Sequence, residues 1–362
     1  MKMLESLNKS DTADILINKK LPGFAVEPSM MFAYPTRLAD LYTPDVERIY
    51  LPGHNSADVD VTISVRTGDT GPRPARSLKL KAYQGVQKVM GLISTLDCKD
   101  KFIFDCRFDT DKNIAHVIDH TILPVLFAQK TLSEHLGEEV EIHVVLREKA
   151  SNLARRVYEA VGIPAIYTDD NVTGKIVDVS TNELYSTIPE LFNLDLGDQD
   201  SPDLIFVPRR GDRSIINNDE ITNFLEQKGF VTYYFEKFTP REQWKIMRHA
   251  KVIVIVHGAA SAHMSFNRVG LDRCTEAFGG VKILEIFSPA FVLRGRRYLA
   301  PILNGKWCAV RGQVTPEFLN NIDFKDWGNE LSPLLGPIKK PFKVDVNSVA
   351  MALEYLDSGT IS

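Results

Sequence analysis

The sequence contains no run of about 20 apolar residues, which is the length that a membrane-spanning helix needs. Its first 20 residues also lack the apolar stretch of a signal peptide. We therefore expect a protein that is neither secreted nor membrane-spanning, and we expect it in the cytoplasm. Peripheral contact with a membrane stays open.

Cysteine is scarce, and the net charge is small. The four cysteines have neither CxxC nor metal-ligand spacing, so reduced thiols are the simplest interpretation. The 43 basic and 47 acidic residues leave a formal net charge of −4, which does not indicate a nucleic-acid partner. A small anionic substrate is neither favoured nor excluded by this balance.

The chain has 362 residues, which is too long for one ordinary hydrophobic core. We place a domain boundary near residues 193–203, where acidic residues, glycine and proline replace the apolar periodicity. This boundary predicts a first domain over residues 1–195 and a second over residues 196–340. Residues 341–362 contain a last helix, which could return to the first domain.

Strands and amphipathic helices alternate in the first half, which is typical of a parallel α/β sheet. Residues 1–45 predict an irregular lead-in, and residues 67–76 predict an exposed loop because glycine and proline recur there. The predicted strands are residues 46–51, 59–65, 101–108, 141–147 and 164–168, and the predicted helices are residues 113–135 and 150–160, with a further helical stretch ahead of residue 101.

The second half predicts a doubly wound, nucleotide-binding sheet, because short apolar strands alternate with capped helices. The helix from residue 239 has threonine as its N-cap and proline at its first position. The predicted strands are residues 204–208, 231–236, 251–256 and 281–287, and the predicted helices are residues 217–229, 239–250 and about 345–357.

A phosphate site is predicted directly after the strand 251–256, where His257-Gly258-Ala259 opens a helix of very small residues. Small side chains let a ligand approach the unpaired N–H groups of the first helical turn, and the helix dipole favours an anion there. A diphosphate suits such a site. Tight packing of the helix on the sheet also favours glycine and alanine, so both interpretations stay open.

Arg209 and Arg213 lie near the carboxyl end of the strand 204–208, where open α/β sheets bind their ligands. Guanidinium groups match phosphate oxygens, so we expect these side chains to contact a phosphate, although a solvated loop is an alternative. Glu285 lies within an apolar strand, where an ionised carboxylate needs a partner. A ribose or sugar hydroxyl could supply it, and so could a neighbouring arginine.

His116, Asp119 and His120 share one helix face in the first half because they are three and four residues apart. Histidine can accept a proton near neutral pH, and a nearby carboxylate can orient it. The same spacing would let the two histidines bind a metal, but no third ligand is identifiable. Non-catalytic histidines are the remaining alternative.

Many of these residues resemble glycosyltransferase family 61, which includes plant xylan-decorating transferases, animal O-linked GlcNAc transferases and bacterial capsule enzymes. In two places the chain departs from the family pattern: His120 replaces the usual acid, and His263 occurs in place of the usual asparagine. The matching residues are Arg209, Arg213, Asn217, Glu242, Gln243, Ala250, His257, Gly258, Ala259 and Glu285 in the second half, and Asn113, His116, Leu123 and Pro124 in the first.

The resemblance implies the GT-B fold, in which two Rossmann-like domains flank a cleft. The first domain would bind a glycan or glycolipid acceptor, and the second a nucleotide sugar, with UDP as the expected nucleotide and no further cofactor. The reaction would invert the anomeric centre. His116 is the first choice as base, ahead of Asp119 and His120. The implied donor contacts are Arg209, Arg213, Asn217, His257, Gly258, Ala259 and Glu285.

The resemblance favours a bacterial protein, or a viral protein of the host cytoplasm. We expect no metal requirement, because the DxD strings at Asp58, Asp109 and Asp198 do not follow a central strand of the phosphate-binding half. A GT-B-like nucleotide-sugar epimerase or a pyruvyltransferase is an alternative enzyme. An inactive nucleotide-sugar-binding protein is the alternative from another class.

Overall fold

The computed structural model describes residues 13–34, 45–71, 94–107, 111–197, 201–272, 276–292, 295–320 and 339–358. Several sequence features lie wholly or partly outside these residues. They are parts of the lead-in at 1–45, the last residue of the strand expected at 101–108, the helical stretch expected ahead of residue 101, the end of the loop expected at 67–76, and the DxD strings at Asp109 and Asp198.

The described residues form strands and helices in the following order. The strands are β1 (Ile15–Leu21), β2 (Ala25–Val26), β3 (Ser29–Ala33), β4 (Glu47–Leu51), β5 (His54–Asn55), β6 (Val59–Thr70), β7 (Thr95–Asp105), β8 (Ile142–Leu146), β9 (Ala165–Tyr167), β10 (Asn171–Val179), β11 (Leu204–Val207), β12 (Val231–Thr232), β13 (Val252–Val256), β14 (Lys282–Phe287) and β15 (Lys306–Arg311). The α-helices are α1 (Ile114–His116), α2 (Leu123–Leu136), α3 (Asn152–Val161), α4 (Ile188–Leu191), α5 (Asn218–Gln227), α6 (Pro240–Arg248), α7 (Val269–Asp272), α8 (Gly295–Ile302), α9 (Pro316–Asn320) and α10 (Val346–Ser358).

The chain divides into two compact units, each formed by two stretches of sequence. The first unit consists of Met1–Pro22 and Asp58–Thr187, and the second consists of Gly23–Ala57 and Ile188–Ser362. Residues from the N-terminal part of the chain therefore enter both units. The mixed α/β class that we predicted is confirmed.

The first unit contains a six-stranded sheet in the order β1-β6-β10-β7-β8-β9. β10, β7, β8 and β9 run parallel, whereas β6 is antiparallel to β1 and β10. The prediction of a loop is wrong for residues 67–70, which continue β6 because β10 offers them a hydrogen-bonding partner. The irregular lead-in is also wrong in part, since β1 pairs along its whole length with β6.

The second unit contains a seven-stranded sheet in the order β12-β11-β13-β14-β15-β3-β4. Its first five strands are parallel, and counted along the chain their order is 2-1-3-4-5, one of the two common orders of a doubly wound sheet. β3 extends this sheet parallel to β15, and β4 closes it in the antiparallel direction. The predicted strands of this half are confirmed, although β12 is shorter than expected.

Two helices of the second unit show how local sequence fixes the fold. α6 begins with the capping box that Thr239 and Glu242 form, and Pro240 is its first residue. α10 buries Val349 and Leu356 and packs on β3, β14 and β15, where the sequence had left a return to the first domain open. Within the part of the chain that the structure describes, no helix has the length and apolar character to cross a membrane.

Candidate active site

The second sheet has a topological switch point between β11 and β13. β12 follows β11 in the chain and pairs with one side of it, whereas β13 pairs with the other side. Connections therefore diverge at the carboxyl ends of these strands and leave a crevice, which is where doubly wound sheets bind ligands. Residues 208–213 follow β11 and residues 257–262 follow β13, so the structure brings together the two segments for which we predicted phosphate contact.

Gly258 lies directly beneath the guanidinium group of Arg209. A Cβ atom at position 258 would overlap Nη1 of Arg209. The φ of Gly258 is 170°, an extended value that any residue can adopt, so a side chain here would displace the guanidinium of Arg209 without straining the backbone. The glycine thus allows a positive charge to lie against the backbone that follows β13.

Arg213 is held in a conformation that is costly for a residue with a side chain, with a φ of 62°. Its N–H donates to the carbonyl of Lys339 at 2.9 Å, and its guanidinium lies 5.1 Å from the ring centroid of Phe291. The Nε of Arg213 is buried, without a hydrogen-bond partner among the described residues. Burial, and then the charge of Arg209, lower the pKa of Arg213 to about 10, so it stays charged at neutral pH.

Arg209 and Arg213 form a pair of half-buried cations. Burial lowers the pKa of Arg209, against the opposing charges of Asp212 and Glu236. Within the described ranges, neither arginine forms an ion pair with a carboxylate, and Asp212 instead lies 3.9 Å from Nζ of Lys339. A doubly charged phosphate group would relieve both the repulsion between the arginines and their loss of hydration.

Glu285 is fully buried, and both of its carboxylate oxygens are paired inside the protein. Oε1 lies 2.6 Å from Nδ1 of His257, and Oε2 accepts the Nε1–H of Trp307 at 3.0 Å. The imidazole of His257 stacks on Phe287, with the ring centroids 4.7 Å apart. Glu285 therefore orients His257, which differs from the direct ligand contact that we expected from the sequence.

The segment after Gly258 is a 3₁₀-helix, Ala259–Phe266, where we had expected an ordinary helix start. Ser261 holds the start of this helix in place through two hydrogen bonds. Its Oγ donates to the carbonyl of Gly258 at 2.8 Å and accepts from Nε of the buried Arg296 at 2.9 Å. His263 lies inside the protein, where burial and the charge of Arg296 lower its pKa to about 3. Its imidazole is therefore neutral at pH 7.

Asn217 is engaged by contacts within the second unit. Its Nδ2 donates to the carbonyl of Val344 at 2.8 Å and to Oε2 of Glu220 at 2.7 Å, while its Oδ1 accepts the N–H of Val344 at 3.0 Å. The side chain thus anchors the segment ahead of α10.

His116 of the first unit is paired with His120. Their Nδ1 atoms are 3.2 Å apart, and the rings meet edge to face with centroids 4.6 Å apart. A hydrogen bond between two such nitrogens requires a proton on one and a lone pair on the other. His116 is half-buried and His120 is exposed, so the pair offers a path for one proton from the protein toward solvent.

A π-helical turn, Val117–Ile122, carries Asp119 and His120 and interrupts the helix that we predicted over residues 113–135. The buried hydroxyl of Thr121 donates to the carbonyl four residues earlier at 2.6 Å and accepts from the hydroxyl of Tyr158 at 2.6 Å. π-turns of this kind are frequent at functional sites.

Two side chains of the site escaped the sequence analysis. Trp307 lies on β15 next to the strand that carries Glu285, and Arg296 lies at the start of α8. A signal existed for the first of them, because a carboxylate in an apolar strand needs donors and an indole N–H on a neighbouring strand is one. The second belongs to the short basic segment 294–297, which predicts a local anion contact or a solvated surface, whereas the structure buries Arg296 against Ser261.

Comparison with known protein families matches residues 114–275 to glycosyltransferase 61. The match covers less than half of the chain and includes His116, Arg209, Arg213 and His257. It confirms the resemblance that the sequence motifs indicated. No curated protein is significantly similar to the chain.

Proposed function

We propose that this glycosyltransferase, whose family 61 domain covers residues 114–275, moves a sugar from UDP to an acceptor hydroxyl with inversion and without a metal ion. The observation that carries the proposal is the cationic pair at the switch point of the second unit. Both arginines are half-buried, Arg209 lies over the Gly258 backbone, and among the residues that the structure describes neither arginine is paired with a carboxylate. Family resemblance supports uridine as the base of the donor.

The second unit would stabilise the leaving group. When the bond between the anomeric carbon and the diphosphate oxygen breaks, the electron pair stays on that oxygen. Charge-assisted hydrogen bonds from Arg209 and Arg213 then become stronger because the negative charge grows. Two fixed guanidinium groups supply the positive charge that a divalent ion supplies in metal-dependent transferases.

The first unit would supply the base. As the acceptor oxygen forms its bond to the anomeric carbon, its proton passes to the ring nitrogen of His116 that is not bonded to His120. The half-buried position of His116 supports this choice over the exposed His120. Asp119 is the alternative base. The proposal includes the GT-B arrangement that the family resemblance implies, with a glycan or glycolipid as acceptor.

A panel of nucleotides and nucleotide sugars tests the proposal by thermal shift and calorimetry on the full chain. We expect UDP and one UDP-sugar to raise the melting temperature. Arg209→Ala and Arg213→Ala should each weaken UDP binding roughly ten- to a hundredfold, because each removes a charged contact to phosphate. Arg210→Ala is the matched control, since the exposed guanidinium of Arg210 lies over the ring of Tyr234 instead.

Two results would contradict the proposal. The first is the absence of binding by any nucleotide or nucleotide sugar. The second is an equal effect of all three arginine variants on UDP affinity. Product analysis then separates the alternatives, because an epimerase converts the nucleotide sugar without an acceptor, whereas a transferase needs the acceptor hydroxyl. An inactive binding protein would bind UDP and form no product with any acceptor.

A further inference from the structure

Trp307 is the buried end of a hydrogen-bonded chain that reaches the phosphate site. Its side chain is only 4% exposed, and its Nε1–H donates to Oε2 of Glu285 at 3.0 Å. The other oxygen of Glu285 lies 2.6 Å from Nδ1 of His257. His257 directly precedes Gly258, over which the guanidinium of Arg209 lies. Three side chains therefore connect the interior of the second sheet with its switch point.

The hydrogen bonds from Trp307 to Glu285 and from Glu285 to His257 decide which nitrogen of the His257 imidazole carries a proton. An indole N–H can only donate, and an ionised carboxylate can only accept, so Nδ1 of His257 carries the proton in its bond to Glu285. The ring cannot turn freely, because it lies against Phe287 at 4.7 Å and Phe291 at 5.4 Å between centroids. Nε2 therefore remains for a ligand, and it has no hydrogen-bond partner within the described part of the chain.

We propose that Trp307 and Glu285 are positioning residues that aim Nε2 of His257 at the diphosphate of the donor. The inference rests on the proposed function, and it deepens it by assigning a third cationic contact to the leaving group. Neither Trp307 nor Glu285 touches the donor. Both act by fixing the direction in which His257 can form its second hydrogen bond.

In this arrangement, binding of the donor is coupled to protonation of Nε2 of His257. Nε2 can donate to a phosphate oxygen only when both ring nitrogens carry protons, because Nδ1–H is already bonded to Glu285. A bound diphosphate neutralises both arginines and places a negative charge opposite Glu285, so the imidazolium ion then lies between two anions. We therefore expect diphosphate binding to favour the doubly protonated ring, with a proton taken up from solvent by each molecule whose imidazole is neutral beforehand.

Calorimetry with UDP and the full chain measures this uptake directly. Titrations in two buffers of different ionisation enthalpy give the number of protons bound with each UDP. We expect the wild-type protein to take up a substantial fraction of one proton, and Glu285→Gln to abolish the uptake. Trp307→Phe should reduce the uptake and lower kcat about tenfold while KM for the donor changes less, because the contact strengthens as the leaving group gains charge.

Trp244→Phe is the matched control. Trp244 is also fully buried, but its Nε1–H has no hydrogen-bond partner among the residues that the structure describes. The substitution removes the same ring volume without removing a hydrogen bond. We expect unchanged proton uptake and unchanged kcat in Trp244→Phe. The melting temperatures of Trp244→Phe and Trp307→Phe measure how much each substitution disturbs packing.

The outcomes separate the two proposals. Failure of the wild-type protein to bind UDP overturns the proposed function. Equal proton uptake in the wild-type and Glu285→Gln proteins, or equal kinetics in Trp307→Phe and Trp244→Phe, overturns the positioning role and leaves the proposed function intact. If Trp307→Phe does not fold, the wild-type uptake and its loss in Glu285→Gln decide the question.

Discussion

At Gly258, the space available for a Cβ atom depends on where the guanidinium group of Arg209 lies. Because its backbone is extended, alanine could adopt the same φ there, and only the guanidinium of Arg209 excludes a Cβ atom. A substitution at this position therefore acts on one charge and leaves the fold in place. It separates the contribution of Arg209 from that of backbone conformation.

We expect Gly258→Ala to weaken UDP binding by about tenfold or more, since Arg209 must move away from the phosphate site. Calorimetry measures the affinity, and a denaturation curve checks that stability is retained. Gly68→Ala in β6 is the control, because a Cβ atom there has only the flexible end of Arg66 nearby, at 3.3 Å. Equal affinities in the wild-type and Gly258→Ala proteins would show that Arg209 does not contact the diphosphate.

His116 is the residue by which the first unit would take part in the reaction, as the base that removes the proton of the acceptor. We expect His116→Ala to lower kcat by about 10²–10⁴ while UDP affinity stays unchanged, since the base does not bind the nucleotide. Transfer assays and calorimetry measure the two quantities. His135→Ala on the exposed end of α2 is the control. Near-normal transfer by His116→Ala, together with an inactive Asp119→Ala, would assign the base to Asp119.

At the scale of residues, the sequence predicted which residues of the proposed phosphate site lie together better than it predicted their hydrogen-bond partners. Arg209, Arg213 and Gly258 do meet at one sheet edge, because strand ends in a parallel sheet share that edge. The partner of Asn217 could not be predicted, since Val344 comes from a distant part of the chain. For Glu285 the apolar strand indicated that donors were needed, but it did not identify Trp307 as one of them. Polar side chains in apolar surroundings indicate that a partner exists without identifying it.

The π-helical turn of the first unit is an element whose geometry depends on a tertiary contact. Its hydroxyl pair joins Thr121 to Tyr158 on α3, and both side chains are almost fully buried. The turn presents His120 to His116, so a change in its geometry alters the distance between the two imidazoles. The hydrogen bond to α3 therefore helps to set the distance between the two imidazoles of the proposed proton path.

We expect Tyr158→Phe to lower the free energy of unfolding by about 1 kcal/mol, because it removes one buried hydrogen bond. We also expect a lower kcat at unchanged UDP affinity, because the turn carries His120. Chemical denaturation and transfer kinetics measure the two effects. A loss of stability with unchanged kcat would mean that the π-turn serves folding alone.

Elements with regular periodicity were predictable, and elements that depend on distant partners were not. The buried strands β11, β13 and β14 lie where we expected them, because β-branched runs between capped helices have few other interpretations. β10 was missed, since it contains Gly174 and several polar residues. The structure explains this glycine, because a Cβ atom there would come within 2.7 Å of Ile103 on the neighbouring strand β7.

At the scale of the whole molecule, the proposal predicts how the enzyme responds to a chelator. Arg209 and Arg213 supply the positive charge at the diphosphate, so we expect transfer to continue in the presence of EDTA. Steady-state rates with and without EDTA, and after addition of Mn²⁺, make the measurement. Loss of transfer that Mn²⁺ restores would show that the arginines do not replace a metal ion.

The two-part composition of the second unit also governs how it can form during synthesis. β3 and β4 leave the ribosome early, yet their place in the sheet is beside β15, with Met31 opposite Ala309. The ribosome must complete most of the chain before that ladder can close, so the edge of β3 that pairs with β15 lacks its partner while the intervening residues are made. A nascent chain in this state needs protection from association with other chains. Completion of the seven-stranded sheet is therefore a late, long-range event, and a fragment that starts at Ile188 would present β15 as an open edge.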